Sequence, residues 1–202
     1  MEHIFIEGQK KDAPTLLLLH GTGGNERDLL GLAEMIAKDA HVLSVRGNVL
    51  ERGMPRFFRR LAEGVFDEED LIYRTKELND FVTESAKTYE FDRSKVIAIG
   101  YSNGANIAAS MMYHHEQALH GAILFHAMVP IRGVDLPDLT HMNVFIGAGK
   151  HDPLIPLNET KELIKDLEKA NANVTEFWVE GGHQLVLEEV DQARSWFSLN
   201  YN

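Results

Sequence analysis

Apolar positions fall into two alternating patterns along the chain. Short, nearly continuous runs occur at Thr15–Leu19, His41–Val45, Lys95–Gly100, Gly121–His126, Asn143–Gly147 and Val174–Val179. Their length and bounding turn residues predict buried strands. Between them lie longer segments with apolar residues near a 3.6-residue period, which predict helices over Glu26–Lys38, Asp67–Tyr89, Asn103–His114, Asn158–Ala172 and Leu185–Leu199. In the second of these, Leu71, Leu78, Val82 and Tyr89 carry the period, and acidic residues crowd the first turn. Strands alternating with helices predict an α/β class: one domain over residues 1–202, with a mostly parallel central sheet flanked by helices. Gly47 to Gly64 is read as a long irregular excursion, because Gly53, Pro55 and Gly64 interrupt any regular element. No internal repeat or linker is visible.

Charge and composition narrow the partners. The 202 residues include 20 basic and 31 acidic side chains, for a net charge of −11. That balance argues against nucleic acid and against docking on an anionic membrane. With no cysteine, disulfides, thiolate catalysis and cysteine-based metal sites are excluded. The amino terminus lacks a signal-peptide pattern and no apolar run approaches ~18 residues, so a cytoplasmic location is expected.

The chemistry is concentrated at the carboxyl ends of the predicted strands, where open parallel sheets bind ligands. Gly100-Tyr101-Ser102-Asn103-Gly104 matches G-x-S-x-G between a strand and an apolar helix. In that setting a serine sits on a strained turn, small flanking residues let strand and helix approach, and the hydroxyl stands above the sheet. A serine hydroxyl needs a base within hydrogen-bond reach and a carboxylate to fix that base's tautomer. In chain order the acid comes next: Asp152, in Gly149-Lys150-His151-Asp152-Pro153, follows the Asn143–Gly147 strand. His183, in Gly181-Gly182-His183, follows the Val174–Val179 strand and is the candidate base. For an oxyanion, backbone donors are expected at Asn103 and at Thr22 in His20-Gly21-Thr22-Gly23-Gly24-Asn25.

Rivals fit less well. His151 precedes the last strand and breaks the chain order; His126 ends a strand and is expected to line the pocket; Asp135 and Asp138 lack the strand-to-turn context. Gly147-Ala148-Gly149-Lys150 departs from the phosphate-binding loop, having Val144 and His151 where Gly and Ser or Thr are needed. His115-Glu116 with His120 misses the H-E-x-x-H zinc spacing by one residue. Arg56-Phe57-Phe58-Arg59-Arg60 is a small basic cluster in an acidic chain, read as a solvated loop or a pocket edge. Met54, Arg56, Phe57, Phe58, Met128 and Val129 are candidates for a substrate pocket. Arg46 or Arg56 would pair a substrate carboxylate, with a structural salt bridge an equal alternative for each.

Together Leu19-His20-Gly21-Thr22-Gly23-Gly24-Asn25-Glu26, Arg46-Gly47-Asn48, Gly100-Tyr101-Ser102-Asn103-Gly104-Ala105, Gly149-x-x-Asp152-Pro153-x-x-Pro156 and Gly182-His183 resemble the phospholipase/carboxylesterase family of α/β-hydrolases. The similarity is greatest to small bacterial carboxylesterases of the hydroquinone-inducible type. The resemblance implies a single-domain α/β-hydrolase without a large lid, cleaving small carboxylic esters, with thioesters as an extension. It puts the triad on Ser102, Asp152 and His183, with no metal or organic cofactor, and implies a homodimer more weakly. The Gly-Thr-Gly-Gly run departs from the Gly-Leu-Gly-Asp of the acyl-protein thioesterase branch, which argues against large acylated proteins as substrates. A ligand receptor with an idle triad, or acyl transfer to an acceptor other than water, stays open at this point.

Overall fold

In the computed structural model, residues 1–201 are described. The elements in chain order are β1 (His3–Ile6), β2 (Thr15–Leu19), α1 (Leu30–Ala37), β3 (His41–Val45), β4 (Val49–Glu51), β5 (Met54–Arg56), β6 (Arg60–Ala62), β7 (Val65–Phe66), α2 (Glu68–Tyr89), β8 (Val96–Tyr101), α3 (Asn103–His114), β9 (Gly121–Phe125), β10 (Asn143–Gly149), α4 (Leu157–Lys169), β11 (Asn173–Val179) and α5 (Leu187–Tyr201). Seven strands form one sheet in the order β1-β3-β2-β8-β9-β10-β11. All neighbours run parallel except β1, which pairs antiparallel with β3.

The continuous apolar runs are explained by burial on both faces. In β2, Leu17 and Leu19 join one core with Leu71, Leu78 and Val82 of α2, the apolar residues of α3, and Leu163 and Leu167 of α4. Leu16 and Leu18 point the other way, toward Leu32 and Ile36 of α1 and Val190, Trp196 and Phe197 of α5. Two helical layers thus sandwich the sheet, and each fully buried Leu contributes about 1.5–3 kcal/mol. Asp67 caps α2 by accepting the Asp70 amide, and Glu68, Glu69 and Asp70 face the positive end of its dipole.

The expected strands and helices are all present, with ends shifted by a few residues; the largest shift is at α1, which begins at Leu30 rather than Glu26. Two features differ from expectation. Strand β1 is a four-residue, half-exposed edge strand with no long apolar run to announce it. The excursion after β3 is not irregular: it holds two small hairpins, β4-β5 and β6-β7. Arg52 and Gly53, both at positive φ (51° and 82°), make the tight turn of the first. Among the described residues no helix is long and apolar enough to cross a membrane.

Candidate active site

Ser102 stands at the junction of β8 and α3 with φ 51° and ψ −113°, a conformation that L-residues rarely adopt. The turn is possible because its glycines permit contact no side chain would allow. A Cβ on Gly104 would lie 1.9 Å from the Leu19 carbonyl oxygen, and one on Gly100 would lie 2.6 Å from the Ala105 backbone. Helix α3 therefore seats directly on β2 and β8, and its first turn begins at the serine.

His183 follows β11, and its Nε2 lies 2.9 Å from Ser102 Oγ. Its Nδ1 lies 2.7 Å from Asp152 Oδ2. With a carboxylate on that side, Nδ1 carries the proton and Nε2 is left to accept from the serine. The Tyr101 hydroxyl donates to the His183 carbonyl oxygen at 2.7 Å, which anchors the loop. Asp152 is buried on the loop after β10, and its Oδ1 accepts the Leu154 and Ile155 amides at 2.8 and 3.0 Å. Burial alone would raise its pKa; the hydrogen bond from His183 and those two amides outweigh it and hold the carboxyl below its usual range.

Asp152 Oδ2 has a second imidazole neighbour, His126 Nδ1, at 3.1 Å. Expected as a pocket wall, His126 is instead fully buried behind Asp152, with its Nε2 3.2 Å from Glu189 Oε1. The residue it follows, Phe125, ends β9, and His126 itself has φ 54°. Sequence reasoning missed Glu189 altogether, because it sits in the amphipathic pattern of α5 like any surface acid. The donor atoms of His126, Asp152 and His183 lie within 4.8 Å of one another. This is not read as a metal centre: one carboxylate oxygen is shared by two imidazole nitrogens at hydrogen-bond distance, and a proton fills each contact.

On the other side of Ser102 lies the Gly-rich loop after β2. Neither the Thr22 amide nor the Asn103 amide has an acceptor among the described residues. Arg56, itself buried, donates to Thr22 Oγ1 at 2.6 Å and to the Phe58 carbonyl oxygen at 3.2 Å. Asn103 Oδ1 accepts the Phe57 amide at 2.8 Å, so the hairpin segment is tied to both expected oxyanion residues. Asn106 likewise holds the segment after β9 by accepting the Met128 amide at 3.0 Å.

A narrow cavity of about 60 Å³ adjoins Ser102 and His183, with Arg56, Arg60, Phe66 and Met128 in its wall. Of the expected pocket residues, Arg56 and Met128 are there, while Arg46, Phe57 and Val129 lie elsewhere. Phe57 is buried against His20, and Val129 is part of the core. Arg46 turns away to a bidentate pair with buried Glu26, at 2.5 and 2.8 Å, and to Glu2 at 2.8 Å. Two acids held at its guanidinium make it the structural salt bridge of the two alternatives. His151 is exposed beside Glu180.

A parallel sheet with a serine, an imidazole and a carboxylate converging over its carboxyl edge belongs to the α/β-hydrolases, and sequence comparison narrows this. Residues 1–201 match the Phospholipase/Carboxylesterase family model, and the chain belongs to that family; it is a hydrolase. It is 57% identical over 197 residues to MhqD of Bacillus subtilis (strain 168), covering 98% of each chain. A Bacillus cereus carboxylesterase structure superposes with a TM-score of 0.99 at 60% identity, over 100% of this chain and 95% of that one. YahD, in a structure with malic acid, superposes with a TM-score of 0.94 at 36% identity, over 98% of both chains.

Proposed function

We propose that this protein is a serine carboxylesterase that hydrolyses small carboxylic esters through a covalent acyl-enzyme, needing no metal or organic cofactor. The observation that carries this is the continuous line from Ser102 Oγ to His183 Nε2 (2.9 Å) and from His183 Nδ1 to Asp152 Oδ2 (2.7 Å). Both distances are within the reach proton transfer requires.

In the first step Ser102 Oγ bonds to the ester carbonyl carbon while its proton passes to His183 Nε2. The oxyanion is stabilised by the Thr22 and Asn103 amides, the latter at the positive end of α3. Collapse breaks the bond to the alcohol oxygen, which leaves with the proton from Nε2. Water then repeats the cycle: its proton goes to His183, its oxygen bonds to the acyl carbon, and Ser102 is released protonated. Asp152, held ionised by its hydrogen-bond donors, stabilises the imidazolium that forms twice per turnover.

The small volume of the cavity beside Ser102, about 60 Å³ with Phe66 and Met128 in its wall, favours a short acyl group. Hydrolysis of p-nitrophenyl esters from acetate to laurate, with wild type and Ser102→Ala, tests the reading. Turnover should be highest for the shortest chains and fall by about 10⁶-fold in the variant. Equal turnover by both proteins would remove Ser102 as nucleophile. If the wild type is inert toward every ester yet binds esters or their acids tightly, the protein is a receptor. Ester products rather than acids in the presence of competing alcohols would make it an acyltransferase.

A further inference from the structure

Two fully buried titratable side chains, His126 and Glu189, do nothing in the mechanism above. Both have no measurable exposure. Their placement is built rather than incidental. His126 holds a positive φ of 54°, which is uncommon for any residue other than glycine. Glu189 occupies space that Gly147 leaves open: a Cβ on that glycine would lie 2.9 Å from Glu189 Oε1. The other carboxylate oxygen accepts the Val186 amide at 3.1 Å, at the positive end of α5. Capping a helix needs no burial, so the cap alone does not explain where this side chain lies.

Counting protons shows what the pair does. Both ring nitrogens of His126 face carboxylate oxygens: Nδ1 faces Asp152 at 3.1 Å, and Nε2 faces Glu189 at 3.2 Å. A neutral imidazole carries one N–H and leaves one of these contacts without a proton. The Nε2 contact is also poorly aligned as a hydrogen bond. Between neutral groups it would leave two orphaned buried polar atoms, whereas an ion pair tolerates the misalignment. The alternative proton position, on Glu189, works against the helix terminus that favours its carboxylate.

We infer that His126 is a positioning residue: a buried imidazolium, locked between Asp152 and Glu189, that holds the Asp152 carboxylate in place and opposes protonation of His183. The inference rests on the serine-esterase reading. The two imidazole rings are 5.3 Å apart, close enough for a charge on one to oppose a charge on the other. The remaining titratable groups around His126 are Asp152, Glu189 and the Tyr101 phenol, whose ring centre is 5.9 Å away. Burial lowers the pKa of His126, but contacts with Glu189 and then Asp152 outweigh it, so the net direction is up. Because Asp152 Oδ2 accepts from both rings, it stays in one orientation as the serine's proton comes and goes.

The test compares the kcat/KM pH profiles of wild type, Glu189→Gln and His126→Asn on a p-nitrophenyl ester. Glu189→Gln preserves size, and His126→Asn, though smaller, keeps a donor toward Asp152 while removing the charge. The acid limb should move up by about 0.5–1.5 pH units in Glu189→Gln and at least as far in His126→Asn. ¹⁵N NMR of the wild type, assigned with His126→Asn, should show both His126 ring nitrogens protonated over the pH range of the acid limb. An unmoved acid limb in folded variants, or a single protonated nitrogen, overturns the inference. Should a variant fail to fold, the wild-type spectrum decides alone. Labelling by a fluorophosphonate keeps the two readings apart: no Ser102 adduct in wild type defeats the esterase mechanism, whereas an adduct with an unmoved acid limb defeats only the role of His126.

Discussion

Two buried histidines flank the site, one under each loop, and their surroundings differ in a single respect. His20 lies beneath the Gly-rich loop after β2: its Nδ1 donates to the Gly21 carbonyl oxygen at 2.6 Å and its Nε2 accepts the Gly47 amide at 3.0 Å. One acceptor and one donor suit a neutral ring and fix its tautomer. His126 lies beneath the acid loop between two acceptors, which suits a cation. Each has a buried glutamate nearby, Glu26 or Glu189. Glu26, however, is taken by Arg46, whereas among the described residues Glu189 has no cation to face except His126. The partner of the carboxylate, more than burial itself, decides what kind of histidine results. Burial pushes His20 below its ordinary value, while the two carboxylates carry His126 above it.

Neutralising the acid on each side should separate the two histidine environments most strongly. Asp152→Asn should lower kcat by about 10⁴-fold, as expected for loss of the orienting carboxylate. Glu26→Gln should leave it within about tenfold, because Glu26 supports a loop rather than the reacting groups. Steady-state kinetics on one ester checks both, and similar losses would mean that the loop after β2 governs chemistry as directly as Asp152.

The seat of Glu189 comes next. Gly147→Ala should cost about 1–3 kcal/mol in urea denaturation, since the new methyl meets both Glu189 Oε1 and Phe125. On the His20 side, Arg46→Ala should lower Tm by roughly 2–6 °C near neutral pH and leave kcat nearly unchanged. The Arg46 hydrogen bond holds the Glu26 pKa below its usual range. That contribution is present above the ordinary carboxylate value of about 4.5 and lost as pH falls through the depressed folded one. The Tm difference between wild type and variant should therefore shrink in acid.

The smallest expected effect has opposite signs on the two sides. His20, depressed when folded, contributes stability above pH 6.5 that is lost on acidification. His126, raised when folded, contributes stability below pH 6.5 that is lost as pH climbs through its folded value. His20→Gln should flatten the acid side of a Tm-versus-pH curve, and His126→Asn the alkaline side. The same slope in both variants would show that the two rings do not differ in charge.

Much of this protein is written locally in its sequence. Apolar runs of five or six residues, alternating with 3.6-residue periodicity, specify a buried parallel sheet between helices because each strand is covered on both faces. The serine turn is equally local, since Gly100 and Gly104 are needed wherever strand and helix touch so closely. Asp152 and His183 were legible because each follows a strand and therefore lies at one edge of the sheet. The hairpins at Val49–Arg56 and Arg60–Phe66 were not legible, because strands of two or three residues carry no period. Which charges face which depends on packing between segments far apart in the chain. That packing sent Arg46 to Glu26, buried Phe57 and Val129, and placed Glu189 of the last helix behind His126, 63 residues earlier in the chain. Helical periodicity says that a glutamate lies on a helix, but its protonation partner depends on which strand that helix covers, and packing across the sheet sets that.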